Sequence, residues 1–318
     1  MLRLVKKILL AVLLFVAAGV VAVRIAYPDQ SVAAWQALSG QSPHCSLLLA
    51  WATPPQARQQ VSDKDVFINR LTLGNRDDAF ERWDLAPAAG SFLPVRNFWI
   101  PAGNRWVLPF NLAEQERDIY HTASEWGIRN GDVVLDCGAH VGVFTHQALA
   151  RGAAKVIAIE PSPRNVECLR RNFASEIQQG RVVVYPKGVW NREDVLILRQ
   201  LEDNSAADSV VMEQPGAKTG DIVPLTTIDL LVKELGLAQV NYIKMDIEGA
   251  EVPALHGAAE TLRRFRPRLA MAAYHKADDP ITLPAAVRQA VPEYHSRCAS
   301  CILDEAGLRP EVLLLAAP

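Results

Sequence analysis

The chain has 318 residues, 50% of them hydrophobic and 21% charged, a balance that suits a large buried α/β core and excludes a disordered or fibrous protein. Its 33 Lys and Arg against 35 Asp and Glu leave a formal net charge of -2, so broad attraction to nucleic acid is not expected. The five cysteines form only one C-x-x-C, Cys298 to Cys301, with no second pair and no histidine at ligand spacing. No metal site is expected there; a local disulfide or two free thiols is the reading, with Cys45 isolated.

At the start of the chain Arg3, Lys6 and Lys7 precede an apolar run from Ile8 to Val23, closed by Arg24 and Tyr27. The run is short for a span of about 20 residues, yet Arg24 can snorkel and Tyr27 can sit at the interface. The expectation is an uncleaved single-pass anchor over residues 1–27, with the lipid bilayer as partner. The alternative is a signal peptide cleaved at Val20-Val21-Ala22. The basic flank predicts a cytoplasmic N-terminus and places the rest of the chain across the membrane.

Residues 28–65 read as a linker containing Thr53-Pro54-Pro55-Gln56 and one short helix around Ser46–Ala52. Residues 66–126 read as an accessory region and possible substrate lid. Within it Phe98–Phe110, FWIPAGNRWVLPF, is expected to form a hairpin turning at Ala102-Gly103-Asn104. Trp99 and Trp106 are core residues or a sugar-stacking platform, and Leu112–Trp126 reads as a helix.

Residues 127–318 alternate strand and helix, which predicts a mostly parallel, Rossmann-like sheet with helices on both faces. The expected strands are Val133–Cys137, Lys155–Glu160, Arg181–Tyr185, Val195–Leu198 at an edge, Val240–Met245, Leu269–Tyr274 and Val312–Ala316. Helices are expected over Val143–Arg151, Pro163–Ile177, a stretch capped by Thr226 or Thr227 and ending at Leu235, Ala250–Phe265, and a shorter one after Pro280. Glu202–Asp221 reads as a polar loop long enough to be a flexible lid.

The chemistry gathers in two clusters. The first is VVLDCGAHVGVF, Val133–Phe144, a buried strand, a tight turn from Gly138 to Gly142, and the start of a helix. The two glycines remove side chains that would hold a ligand off the backbone, and Asp136 sits where the strand emerges. Glu160 ends the next strand 24 residues after Asp136, near the spacing at which an acid reaches a ribose diol. G-x-x-x-G is not the dinucleotide fingerprint, so the pocket suits a nucleoside without pyrophosphate, S-adenosyl-L-methionine (SAM) rather than NAD.

The second cluster is NYIKMDIEGAE, Asn241–Glu251. Alternation puts Tyr242, Lys244 and Asp246 on one strand face, with Asp246 over the crevice where open α/β sheets bind ligands. Lys244 lies deeper and needs a carboxylate, Glu248 or Glu251, to neutralise it.

DCGAHVGVF, AIEPSPRNVECLRRN, VPLTTIDLL and YIKMDIEGAEVPALHGAAETL, in this order, resemble the FkbM family of SAM-dependent methyltransferases over roughly Asp118 to Tyr274. The resemblance implies a class I methyltransferase fold with a seven-stranded sheet and O-methylation of a hydroxyl on a sugar, glycan or related natural product. For the cofactor it implies Asp136, Gly138, His140, Gly142, Phe144, Glu160, Gly188 and Asp246. The family more often has asparagine where His140 stands, and MAAYHKADD replaces a segment where many members keep a glutamate. His275 is the expected general base, with Asp246 and Lys244 as its catalytic companions and no metal ligand. The rival readings are a dehydrogenase, a methyltransferase holding magnesium on Asp246 with Asp208 or Glu248, and a membrane-tethered SAM- or nucleoside-binding scaffold without catalysis.

Overall fold

A computed structural model describes residues 19–55, 65–86, 97–120, 122, 124–212 and 215–318. The chain divides into two compact units, one made of residues 1–59 with Ser300–Pro310, the other of Gln60–Ala299 with Glu311–Pro318.

In the first unit the chain forms helices α1 (Pro28–Leu38) and α2 (Leu47–Ala52). Proline opens α1, where its missing N–H costs nothing, and the Ser46 hydroxyl caps α2 by accepting from the Leu49 N–H. The segment expected to be a linker is thus folded, and its partners lie at the far end of the sequence. Cys45, expected to be isolated, is disulfide-bonded to Cys301 across 256 residues, whereas Cys298 is outside any disulfide. Gln36 accepts from the Leu308 N–H at 2.8 Å, and Pro55 pairs with Leu303. Most of the expected anchor lies outside the described residues. Among the described residues no helix is long and apolar enough to cross a membrane.

The second unit starts with an antiparallel sheet of β1 (Leu71–Arg76), β2 (Phe80–Leu85) and β3 (Asn97–Pro101). Phe98–Phe110 is not a hairpin. Strand β3 pairs back onto β2, and beyond Gly103, whose φ of 82° needs glycine, the chain enters helix α3 (Val107–Glu116). Leu108 and Leu112 on α3 bury against Val141 and Val143, and this packing overrides the strand-like composition. The helix stops well before Trp126 because Asp118 takes a positive φ and its carboxylate accepts from the Thr122 N–H, forming a turn. Trp99 and Trp106 each carry a guanidinium over the ring, from Arg171 and Arg105 respectively.

The alternating region follows as β4 (Val133–Cys137), α4 (Val143–Ala150), β5 (Lys155–Ile159), α5 (Pro163–Asn172), α6 (Ala174–Gln178) and β6 (Val182–Tyr185). Then come β7 (Gly188–Val189), β8 (Asp194–Gln200), β9 (Lys218–Thr226), α7 (Ile228–Glu234), β10 (Tyr242–Met245), α8 (Glu251–His256) and α9 (Ala259–Phe265). The chain closes with β11 (Arg268–Ala272), α10 (Asp279–Ala290), β12 (His295–Asp304) and β13 (Gly307–Ala316). The seven-stranded sheet has the order β12-β13-β11-β10-β4-β5-β6, parallel from β11 to β6 and antiparallel where β13 joins β11. Strand β8 lies at the edge of a separate three-stranded sheet with β9 and β7, and β9 takes up the end of the expected lid.

Side-chain alternation explains why both sheet faces are covered. Leu135, Ile157, Ile243 and Leu269 enter one apolar layer with Leu231, Leu255, Leu262 and Val287 from α7 to α10. Val134, Val156 and Tyr242 enter the opposite layer with Phe144 and Ala148 of α4. The expected helix Ala250–Phe265 breaks at Gly257, where a Cβ would lie 2.1 Å from the Trp190 carbonyl oxygen. Gly257→Ala is therefore expected to cost about 1–3 kcal/mol of stability, read as a lower urea midpoint at unchanged slope. Non-reducing peptide mapping is expected to recover Cys45 and Cys301 in one linked fragment; recovery of Cys298 linked to Cys301 would contradict this pairing.

Candidate active site

The site forms where β4, β5 and β10 end. Gly138 follows β4 with φ 78°, and a Cβ there would sit 1.8 Å from the Asp246 carbonyl oxygen, so the two loops touch backbone to backbone. Beneath that contact Lys244 is buried, donating to the Gly138 carbonyl at 2.8 Å and the Cys137 carbonyl at 3.4 Å, with Asp136 Oδ1 also at 3.4 Å. Asp136 accepts from the Thr145 hydroxyl at 2.6 Å and is fully buried. Burial raises its pKa, with Lys244 opposing. The counter-charge of Lys244 is thus Asp136, not the Glu248 or Glu251 expected from sequence.

His140 stands at φ 50°, a left-handed conformation that few non-glycine residues adopt. Its N–H donates to Glu160 Oε2 at 2.8 Å, and its Nε2 lies 2.9 Å from the Ser205 hydroxyl. Burial pushes the ring down to about 3, so it is neutral. Glu160 also accepts from the Ser162 N–H at 3.0 Å. Burial nevertheless lifts its pKa to about 7 against those two N–H groups.

A cavity opens over these groups. Its lining combines apolar Ile159, Val189, Leu198, Ala206 and Val210 with the carboxylates of Glu160, Asp208, Asp246 and Glu248. Arg164 pairs with Asp208 at 2.8 Å. The Ser205–Ala207 turn that covers the cavity is fastened: Asn104 accepts from the Ser205 N–H at 2.7 Å, and Asn165 donates to the Ser205 carbonyl at 3.0 Å. This part of the expected flexible lid is a pinned wall.

Asp246 accepts from the Tyr120 hydroxyl at 2.7 Å. Burial, which raises its pKa, is outweighed by Lys244, His275 and the Tyr120 bond, so Asp246 stays below the usual carboxylate range. His275 lies behind it, with Nδ1 3.0 Å from Glu251 Oε1, and Nε2 3.4 Å from Asp246 Oδ1 and 3.7 Å from Glu248 Oε1. Burial favours the neutral ring, but Glu248 and Glu251, followed by Asp246, hold the proton and lift the pKa to about 11.

Of the residues expected at the cofactor, Gly138, His140, Glu160, Gly188 and Asp246 line the cavity. Asp136, Gly142 and Phe144 do not. Asp136 is spent on Thr145 and Lys244; a Cβ on Gly142 would strike the Phe173 ring at 2.2 Å; Phe144 packs between Tyr120 and Tyr242. Lys244 and His275 likewise stand behind the wall. Ser205 and Asn104 had no signal in the sequence, because their partners lie 40 to 101 residues away, and Asp208 entered there only as a magnesium ligand of a rival reading. Only the acid of IEGAE announced Glu248.

A sequence profile of the methyltransferase FkbM domain matches residues 136–298, just over half of the chain. The chain belongs to the FkbM methyltransferase family. The match contains every cavity-lining residue. An FkbM methyltransferase from Methylobacillus flagellatus KT is similar at 18% identity and a TM-score of 0.44, over 81% of this chain and 59% of that one. This chain therefore spans about three fifths of that protein's length. An O-methyltransferase from Bacillus cereus, solved in complex with SAH, is similar at 12% identity and a TM-score of 0.40, over 68% of this chain and 91% of that one. No curated protein matches the chain.

Beneath the FkbM site, Lys244→Met strands the Asp136 carboxylate in the core and is expected to cost about 3–5 kcal/mol in urea unfolding. Adding Asp136→Asn is expected to recover much of that loss; full additivity of the two costs would show that the groups are not coupled.

Proposed function

We propose that this FkbM domain transfers a methyl group from SAM to a hydroxyl of a carbohydrate or a related natural product. The observation that carries the reading is Glu160, a buried carboxylate on the cavity wall, fixed by two backbone N–H groups next to a glycine that no larger residue can replace. Bound SAM supplies an electrophilic methyl on a sulfonium. The chain supplies the place for it. Glu160 has lone pairs left to accept from a ribose diol, and Val189, Leu198, Ala206 and Val210 suit the apolar faces of an adenine. The ionised Asp246 favours positive charge nearby.

An acceptor hydroxyl must also lose its proton. His275, the base expected from the sequence, keeps its own proton to about pH 11, so its imidazole is not a free base at neutral pH. Asp246 and Glu248, both on the cavity wall, are the carboxylates left to receive the hydroxyl's hydrogen bond. General-base assistance contributes typically about 10²–10⁴-fold, and orientation in the closed cavity adds to it.

The proposal extends to a bilayer-tethered enzyme. Ile25, Tyr27, Trp35, Leu38, Leu48 and Trp51 are exposed in the first unit, just beyond the apolar run Ile8–Val23, and such aromatic and aliphatic side chains suit a membrane interface.

Calorimetric titration of SAM, with NAD as control, tests the cofactor. Glu160→Gln is expected to weaken SAM about 10- to 100-fold; equal affinity removes Glu160 from the site. Ribose hydroxyls donate to the ionised carboxylate, so wild-type affinity is expected to rise with pH through about 7, where Glu160 loses its proton. That part of the rise should vanish in Glu160→Gln, and identical pH profiles would contradict the assignment. A folded protein that binds no SAM would point instead to the tethered scaffold.

A further inference from the structure

The wall between Asp246 and α8 holds a charge imbalance that the methyl-transfer reading does not use. Three carboxylates surround a single imidazole: Glu251 at 3.0 Å, Asp246 at 3.4 Å and Glu248 at 3.7 Å. Even with the ring protonated, two negative charges remain in excess in a site where the His275 side chain is 3% exposed and Glu251 is 1% exposed. The nearest lysines are committed elsewhere, Lys244 to the Gly138 carbonyl and Asp136, and Lys276 to the Gly249 carbonyl. Burying like charges together is costly unless a cation joins them.

A second observation concerns the aim of the buried atoms. Neither ring nitrogen of His275 makes a hydrogen bond of acceptable angle despite the short contacts, and Glu251 Oε2 is buried without a partner. Glu251 Oε1 already accepts from the Ile247 N–H at 2.9 Å and Asp246 Oδ2 from the Tyr120 hydroxyl at 2.7 Å, which leaves Glu251 Oε2 as the buried oxygen without a partner. Ligand atoms of Asp246, Glu251 and His275 all lie within 4.8 Å of one another. Glu251 faces Nδ1 whereas Asp246 and Glu248 face Nε2, so one ion reaches the imidazole through Nε2 with Asp246 and Glu248 on that side, while Glu251 holds the Nδ1–H from the other.

We propose that His275 Nε2, Asp246 and Glu248 bind one first-row divalent cation, Mn²⁺ or an ion of similar chemistry, on the wall of the methyl-transfer cavity, with Glu251 orienting the ring through Nδ1. An imidazole nitrogen with carboxylate oxygens favours such an ion over Ca²⁺ or Mg²⁺, which prefer oxygen alone. The ion replaces the proton on one ring nitrogen and carries twice its charge, which balances the carboxylates better. Asp246 and Glu248 line the cavity, so an ion bound to them keeps a coordination position open to an acceptor hydroxyl. This role rests on the methyltransferase reading of the cavity; the ion site itself does not.

The test uses the full chain, stripped with EDTA, returned to buffer and titrated with Mn²⁺ alone. Equilibrium binding should show one ion per chain, and pulsed electron paramagnetic resonance should show ¹⁴N modulation from a coordinated imidazole. His275→Ala should lose the ¹⁴N signal and bind at least tenfold more weakly. Where that variant fails to fold, Glu248→Gln decides, with an expected loss of about tenfold or more. Three results overturn the site: no saturable Mn²⁺ uptake by folded protein, an unchanged ¹⁴N signal in folded His275→Ala, or unchanged affinity in Glu248→Gln. Titrating SAM into the same preparation separates the two readings. SAM binding without Mn²⁺ uptake leaves the methyltransferase reading and removes the ion, whereas Mn²⁺ uptake without SAM binding keeps the ion site and removes the cofactor reading.

Discussion

A buried ammonium sets the geometry of the second unit. Lys244 runs through the core with its charge facing the rings of Tyr120 and Phe144, at 5.6 and 5.8 Å from their centroids, and ends on two carbonyls and the Asp136 carboxylate. Because those acceptors belong to the end of β4 and the turn after it, Lys244 fixes β10 against that turn. The backbone contact between Gly138 and Asp246 follows, and with it the separation of the cofactor turn from the acid cluster. An unpaired charge at this depth is costly, so the arrangement holds only while all of its partners are present.

The same geometry sorts like residues into unlike states. His140 and His275 are both largely enclosed, yet one is neutral because burial disfavours its charge with Lys244 and Arg164 adding to that, and the other is charged because its neighbours are carboxylates. Glu160 and Asp246 divide in the opposite sense, one lifted by burial, the other held low by Lys244, His275 and Tyr120. Pairs of titratable groups pushed apart in this way are common where chemistry is done. Here they give the cavity one acid that titrates near neutrality and one that stays ionised.

The first unit follows a different logic. Its helices are short, and α1 leaves Trp35 and Leu38 exposed, so the segment has little core of its own. The Cys45–Cys301 bond and the Gln36–Leu308 hydrogen bond fasten it to the tip of the terminal hairpin. A covalent link across so long a loop removes much of the freedom that the separated chain would have.

By itself the sequence determined the alternation of β4 through β11, the two glycine-and-acid clusters, a threonine cap for α7 at Thr226 or Thr227, and the family, because each is written in neighbouring residues as apolar runs, turn glycines and spacing. Glu160 and Asp246, expected at strand ends, line the cavity, since strand ends in such sheets lie over the ligand crevice. Only the tertiary structure decided which charges meet. Lys244 chose Asp136 over Glu248, His275 gathered Glu251 as well as Glu248 and Asp246, and Cys45 found Cys301 rather than leaving it to Cys298. Pattern along a chain reports which face a side chain takes, whereas an ion pair or a disulfide depends on ångström distances between segments far apart in sequence. Those distances are set only when the sheet has closed.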